Sequence, residues 1–181
     1  MSNFWANPDM EPKRSFLFKL EIGNLDHWLA LSTDRPSFEI GSVPVNYLNV
    51  EFNYVGRIKW TPITCTIRES INTNSLDLIK SILVKSGYTL MESGTAISGD
   101  NFKESVSRKK AILALSDASN GKGVRISQLD AQGNSIDSWV LENAWISKAE
   151  FSTLSYDEEK VNEVKLTIVY DYATVETKKF A

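Results

Sequence analysis

Residues 164 to 172 alternate in character. Val164, Leu166, Ile168, Tyr170 and Tyr172 are apolar or aromatic, and most of the odd-numbered residues between them are polar. A period of two belongs to an extended strand with one face on a core and one face elsewhere. The same last third of the chain supplies Ser135–Leu141, leading into Asn143–Ile146, and a polar loop at Ser155–Lys160 that feeds the final strand. No catalytic group sits in this stretch. It offers surface, and surface points to assembly.

The chain of 181 residues, 42% hydrophobic with five Trp, is expected to be one folded domain, 1–181. Twenty basic residues against 23 acidic ones leave a net charge of −3, which argues against a general nucleic-acid binder. Cys65 is the single cysteine, so no internal disulfide forms and no oxidising compartment is needed. The longest apolar runs fall far short of the ~20 residues that span a bilayer, so no membrane partner is expected. Folding in the cytoplasm without a conventional signal is the expectation.

Residues 1–14, with Pro8 and Pro12, read as an arm without regular structure of its own. Phe4 and Trp5 within it pack either on their own core or on a neighbouring subunit. Phe16–Ile22 is a first strand, with Phe16, Phe18, Leu20 and Ile22 on one face. Gly23–Asp26 is its turn, and His27–Thr33 returns. In Val43–Tyr47 the apolar residues are odd-numbered, whereas in Leu48–Tyr54 they are even-numbered, so the phase slips near Tyr47. A slip turns the buried face outward unless a bulge or bend intervenes. A second slip falls around Pro62, which cannot donate to a ladder and marks an edge or bulge. The expectation is an extended hairpin over 43–68, bent and reaching beyond its own domain, with Tyr54–Arg57 as its tip or a longer loop.

One helix is expected, 75–86. Thr73, Asn74 or Ser75 caps it, Asp77 suits its first turn, Gly87 stops it, and Leu76, Ile79 and Leu83 form its apolar stripe. Residues 89–107 read as a surface loop. Lys110–Ser116 and Val124–Leu129 read as a strand pair, and Asp130–Asn134 as a turn into the Trp139 strand. The fold class is mainly β: a twisted β-sandwich or partial barrel of about eight strands with one flanking helix.

Reactive groups are scarce, and neither catalytic residue, cofactor nor metal is expected. With one His and one Cys, a zinc site would need mainly carboxylates. A Ser-His-Asp set has only His27, which reads better as a solvated or capping residue. Gly121-Lys122-Gly123 lacks the spacing of a phosphate loop and reads as a hairpin turn. Asp157-Glu158-Glu159 lacks the alternation and Gly of a calcium loop and reads as a solvated loop. Arg108-Lys109-Lys110 flanks the expected strand as a solubility device, the rival being contact with a phosphate backbone or an acidic partner. Trp139 and Trp145 belong to core or interface, the rival being a stacking platform for sugars or bases.

The residues in order resemble a family. Pro12-x-Arg14-x-Phe16-x-Phe18-Lys19-Leu20-Glu21-Ile22 opens the chain. The bent ribbon around Val43-Pro44-Val45-Asn46-Tyr47-Leu48-Asn49 and Gly56-Arg57 follows. Asp130-x-x-Gly133, Trp139-x-Leu141-x-Asn143-Ala144-Trp145, Ser155-Tyr156-Asp157, Glu163-Val164 and Tyr170-Asp171-Tyr172 close it. This arrangement resembles the tail-tube proteins of contractile-tailed bacteriophages of the T-even type. It is also similar to the inner-tube proteins of extracellular contractile injection systems.

The resemblance implies hexameric rings that stack, with the extended hairpin contributing to an inter-subunit β-barrel around a channel. It implies a conduit for ejection of double-stranded DNA, a virion location, and assembly in the host cytoplasm. The implied partners are further copies of the chain, the tail sheath, baseplate hub and tail terminator proteins, and tape-measure protein and DNA inside the bore. Duplex DNA carries one charge per ~1.7 Å, so a wall that lets it slide is neutral to acidic. The polar face of the ribbon, Asn49, Glu51, Asn53, Lys59, Thr64 and Thr66, is expected to line the channel. Phe4, Trp5, Val55, Gly56, Arg57 and Ile58 are expected to stack rings. The alternatives are the inner tube of an extracellular contractile injection system or type VI-like secretion apparatus delivering protein, and, more remotely, a monomeric carbohydrate-binding sandwich.

Overall fold

A computed structural model describes residues 12–23, 29–71, 75–88, 106–118, 123–157 and 159–177. Among these residues, ten strands and two helices run in the order β1 (Phe18–Ile22), β2 (Ala30–Thr33), β3 (Ser37–Tyr47), β4 (Val50–Thr61), β5 (Ile63–Arg68), α1 (Ser75–Lys85), α2 (Arg108–Ala118), β6 (Val124–Leu129), β7 (Ser135–Glu142), β8 (Trp145–Phe151), β9 (Glu163–Val169) and β10 (Tyr172–Thr177). One antiparallel sheet has the order β1-β6-β7-β10 and a second the order β2-β5-β9-β8. Among the described strands, β3 and β4 pair only with each other. The mainly β class with a flanking helix is as expected, and no barrel closes among the described strands.

The core lies between the two sheets. Leu20, Ile22, Val124, Ile126 and Leu141 come from the first, and Ile63, Cys65, Ile67, Val164, Leu166 and Ile168 from the second. Each set recurs every second residue, so strand alternation alone delivers it to one face. Ile79 and Ile82 of α1 and Ala114 and Leu115 of α2 join the same cluster. Burial pushes the Cys65 thiol up to about 12, with the Asp34 carboxylate adding to the shift.

The α1 terminus follows from Gly87 at φ 97°. Its N–H donates to the Val84 carbonyl at 3.0 Å, and the Tyr88 N–H reaches the Leu83 carbonyl at 3.1 Å. These two bonds satisfy carbonyls that the helix end leaves open. The expected strand at Lys110–Ser116 is instead α2. Ser107 caps it, its Oγ accepting from the Lys110 N–H at 3.2 Å. Ala111, Ala114 and Leu115 favour a helix, and a short apolar run reads either way by periodicity alone.

The last strand also differs from expectation. It is two strands: β9 pairs with β5 and β8 in the second sheet, and after Tyr170-Asp171 the chain enters the first sheet as β10 against β7. Asp171 holds this crossing. Both its carboxylate oxygens meet Arg108 at the start of α2, and Asn143 Nδ2 donates to Oδ2 at 2.8 Å. Asp130 organises the expected turn, its carboxylate accepting from the backbone N–H of Gln132 at 2.9 Å and of Asn134 at 2.7 Å.

Candidate assembly surface

The ribbon springs from a clamp. The Asp34 N–H donates to the Thr64 carbonyl at 2.9 Å, and the Asp34 carboxylate accepts from the Thr64 N–H at 3.0 Å. Just beyond, Phe38 meets its cross-strand partner Trp60 edge-on at 5.1 Å, and Trp60 leans on Tyr170 at 5.9 Å. Aromatic contacts of this kind stabilise beyond the area they bury. Burial raises the Tyr170 phenol above its ordinary pKa, partly offset by the Ser37 backbone. From Phe38 to Lys59, every described side chain of the ribbon is exposed.

Between Ile40 and Ser42 on β3 there is one residue, and between their partners Ile58 and Val55 on β4 there are two. This bulge places Gly41 against Gly56, where a Cβ on Gly56 would lie 2.7 Å from the Gly41 carbonyl oxygen. β3 itself has no inserted residue, so its faces alternate strictly. Phe38 and Ile40 are on one face, and Val43, Val45 and Tyr47 are on the other. Their partners follow: Trp60 and Ile58 at the base, and Tyr54, Phe52 and Val50 toward the tip. The apolar face therefore changes sides at the bulge. The base face turns to the molecule's own core through Trp60. The tip face has six large apolar or aromatic side chains, each about half exposed or more.

The tip is Leu48-Asn49, with Tyr47 paired to Val50, and the phase slip near Tyr47 is this two-residue turn. Leu48 takes φ 55° and is 86% exposed. The expected tip at Tyr54–Arg57 is instead the bulge within β4. The ribbon spans 37–61 rather than 43–68, because Pro62 ends β4 and β5 enters the second sheet between β2 and β9.

The residues expected to line a channel consequently separate. Asn49 is in the turn, and Glu51 and Asn53 share the tip's polar face with Ser42 and Asn46. Lys59 stands opposite Glu39 beyond the bulge, on the other local face. Thr64 and Thr66 alternate with the buried Ile63, Cys65 and Ile67, so they occupy the outer face of the second sheet. Of the expected stacking residues, Val55, Gly56, Arg57 and Ile58 surround the bulge, and Phe4 and Trp5 lie outside the described residues. So do His27, Gly121, Lys122 and Glu158. Trp139 packs against the core, and Trp145 is half-buried. Phe38 and Ile40 were missed by sequence reasoning; their alternation immediately before Gly41 is the signal that marks them.

Among the described residues, no group of three or more His, Cys, Asp or Glu side chains comes together to hold a metal. No described helix is long and apolar enough to cross a membrane. No protein-family model and no curated protein matches the chain. Solved structures do. The chain is similar to the tube-terminating cap of the anti-feeding prophage, with a TM-score of 0.65 at 14% identity over 98% of this chain and 100% of that one. It is similar to the sheath/tube terminator of the PVC extracellular contractile injection system, with a TM-score of 0.64 at 14% identity over 93% of this chain and 99% of that one. A chain of the PVC sheath-tube complex gives a TM-score of 0.55 at 14% identity over 92% and 93%. At these identities the likeness is one of fold, and the fold is that of proteins found in the tubes and terminators of contractile injection systems.

Proposed function

We propose that the chain is a structural subunit of the tube of a contractile injection apparatus, building hollow rings from copies of itself. One observation carries this reading. Among the described residues the ribbon is a two-stranded sheet that no other strand joins, and its tip bears an exposed apolar face. An isolated hairpin of this kind is marginal in water and invites pairing. Head-to-tail pairing that closes by rotation removes its edges and buries the face. A hexamer is the closure we assign, with the polar tip face of Asn46, Glu51 and Asn53 toward the bore. The likeness in fold to tube and terminator proteins supports a structural rather than a catalytic role.

The partners then are sheath, baseplate and terminator proteins. A phage tail ejecting double-stranded DNA past a tape-measure protein, located in the virion, and an injection system delivering protein are both served by this geometry. Electron microscopy of the purified protein tests the proposal: sixfold rings or hollow filaments are expected, and monomers at high concentration overturn it. A second reading, a cap that ends the tube, is favoured by the higher TM-scores with the two terminators than with the sheath-tube chain. A cap forms single rings that do not elongate, so filament length separates the two.

A further inference from the structure

A ring that stacks needs a second, non-identical contact. Among the described strands β8 pairs only with β9, at the end of the second sheet's order. Its inward residues Ile146, Ala149 and Phe151 stand opposite the buried Ile168, Leu166 and Val164. α1 covers this edge incompletely. Between Leu76, Ile79 and Leu83 of α1 and the three β8 residues runs a mainly apolar groove of about 540 Å³, with Lys80 and Lys148 beside it. Leu76 and Phe151, at its mouth, are about half exposed.

The loop after β8 has the complementary character. Leu154, Tyr156 and Val161 are strongly exposed, Tyr156 completely. In sequence, residues 152–162 carry three acids, Asp157, Glu158 and Glu159, against one lysine, Lys160, a net charge of −2. Lys80 and Lys148 line the groove, and Lys148 pairs with Glu150 at 2.6 Å. We infer that the 152–162 loop of one copy docks in the α1–β8 groove of a second copy, its apolar side chains in the groove and its acids on the lysines. The loop follows Phe151 directly, at the end of the strand that walls the groove. Such a contact is head-to-tail and propagates. It rests on the reading of the chain as a self-assembling tube subunit.

Cross-linking tests it. Leu76→Cys protein is mixed with Tyr156→Cys protein and oxidised; Cys65 is buried and stays silent. A mixed disulfide dimer, absent when either variant is oxidised alone, is expected. Its absence overturns the proposal. So does an intramolecular link in a Leu76→Cys/Ile97→Cys chain, which means that the chain's own 89–105 segment fills the groove. As an independent measure, Asp157→Lys/Glu159→Lys weakens assembly roughly tenfold, and Lys80→Glu/Lys148→Glu in the same chain restores it. Rings that form without the mixed dimer and ignore the charge reversal refute the groove contact and leave the tube intact. The mixed dimer without rings refutes the tube and leaves the contact.

Discussion

Gly56 presses against Gly41 across the ribbon so closely that a side chain on Gly56 would meet the Gly41 carbonyl oxygen at 2.7 Å, whereas a Cβ on Gly41 would find Arg57 at an ordinary 3.7 Å. The two glycines are therefore not equivalent. Gly56→Val is expected to force the strands apart and disturb the register that reverses the apolar face, at a local cost of about 1–3 kcal/mol. The sandwich below the Asp34–Thr64 clamp remains folded. Circular dichroism should be near wild type while rings vanish from electron micrographs. Gly41→Ala should assemble normally.

Leu48 holds a backbone conformation that side chains other than those of Gly, Asn and Asp rarely adopt. Leu48→Gly should relieve about 1 kcal/mol of strain while deleting an exposed apolar tip. Thermal melting of the monomer is expected to stay level or rise, and sedimentation should show weaker self-association. Weaker folding with unchanged assembly would count against a role for the tip.

Trp60 ties the ribbon to the body through Phe38 and Tyr170. Truncating a fully buried Trp costs about 3–5 kcal/mol, and this one is only partly buried, so Trp60→Ala is expected to lose about 2 kcal/mol in denaturant titration. Proteolysis within 37–61 should accelerate before the sandwich unfolds.

Cys65 sets an alkaline limit. Its folded pKa of about 12 exceeds the ordinary 9.0. A raised folded pKa contributes stability that is fully present below the unfolded value and lost above it, because the unfolded chain gives up the proton first. Between pH 9 and 12 stability should fall by about 1.4 kcal/mol per pH unit from this group. Cys65→Ala should flatten that slope, and alkylation of the native protein at pH 8 should be slow.

Much of the sandwich was legible because strand alternation writes the core directly: Ile63, Cys65 and Ile67, or Val164, Leu166 and Ile168, need no tertiary information. The Asp130 turn and Gly87 stop were legible as local chemistry. The missed features all depend on context. α2 looks like a strand until Ser107 is read as its cap. Tyr170-Asp171 continues the alternation although the chain there changes sheets. The phase slip near Tyr47 is a turn although the alternation alone suggests a bend, and Gly56, which resembles a tip residue, serves a close approach rather than a reversal. The α1–β8 groove is formed by segments far apart in the chain, and neither advertises the other.

The ribbon's attachment also decides how the protein bears load. β4 passes through Pro62 directly into β5, which pairs along its length with β9 on one side and through Cys65, Thr66 and Ile67 with β2 on the other. A pull on the tip along the strand is thus delivered as shear over many backbone bonds at once, in the middle of a sheet. They do not open one after another as they would in a peeled edge. A tube made of such subunits would resist being drawn apart when its surroundings contract, at the point where each copy grips the next.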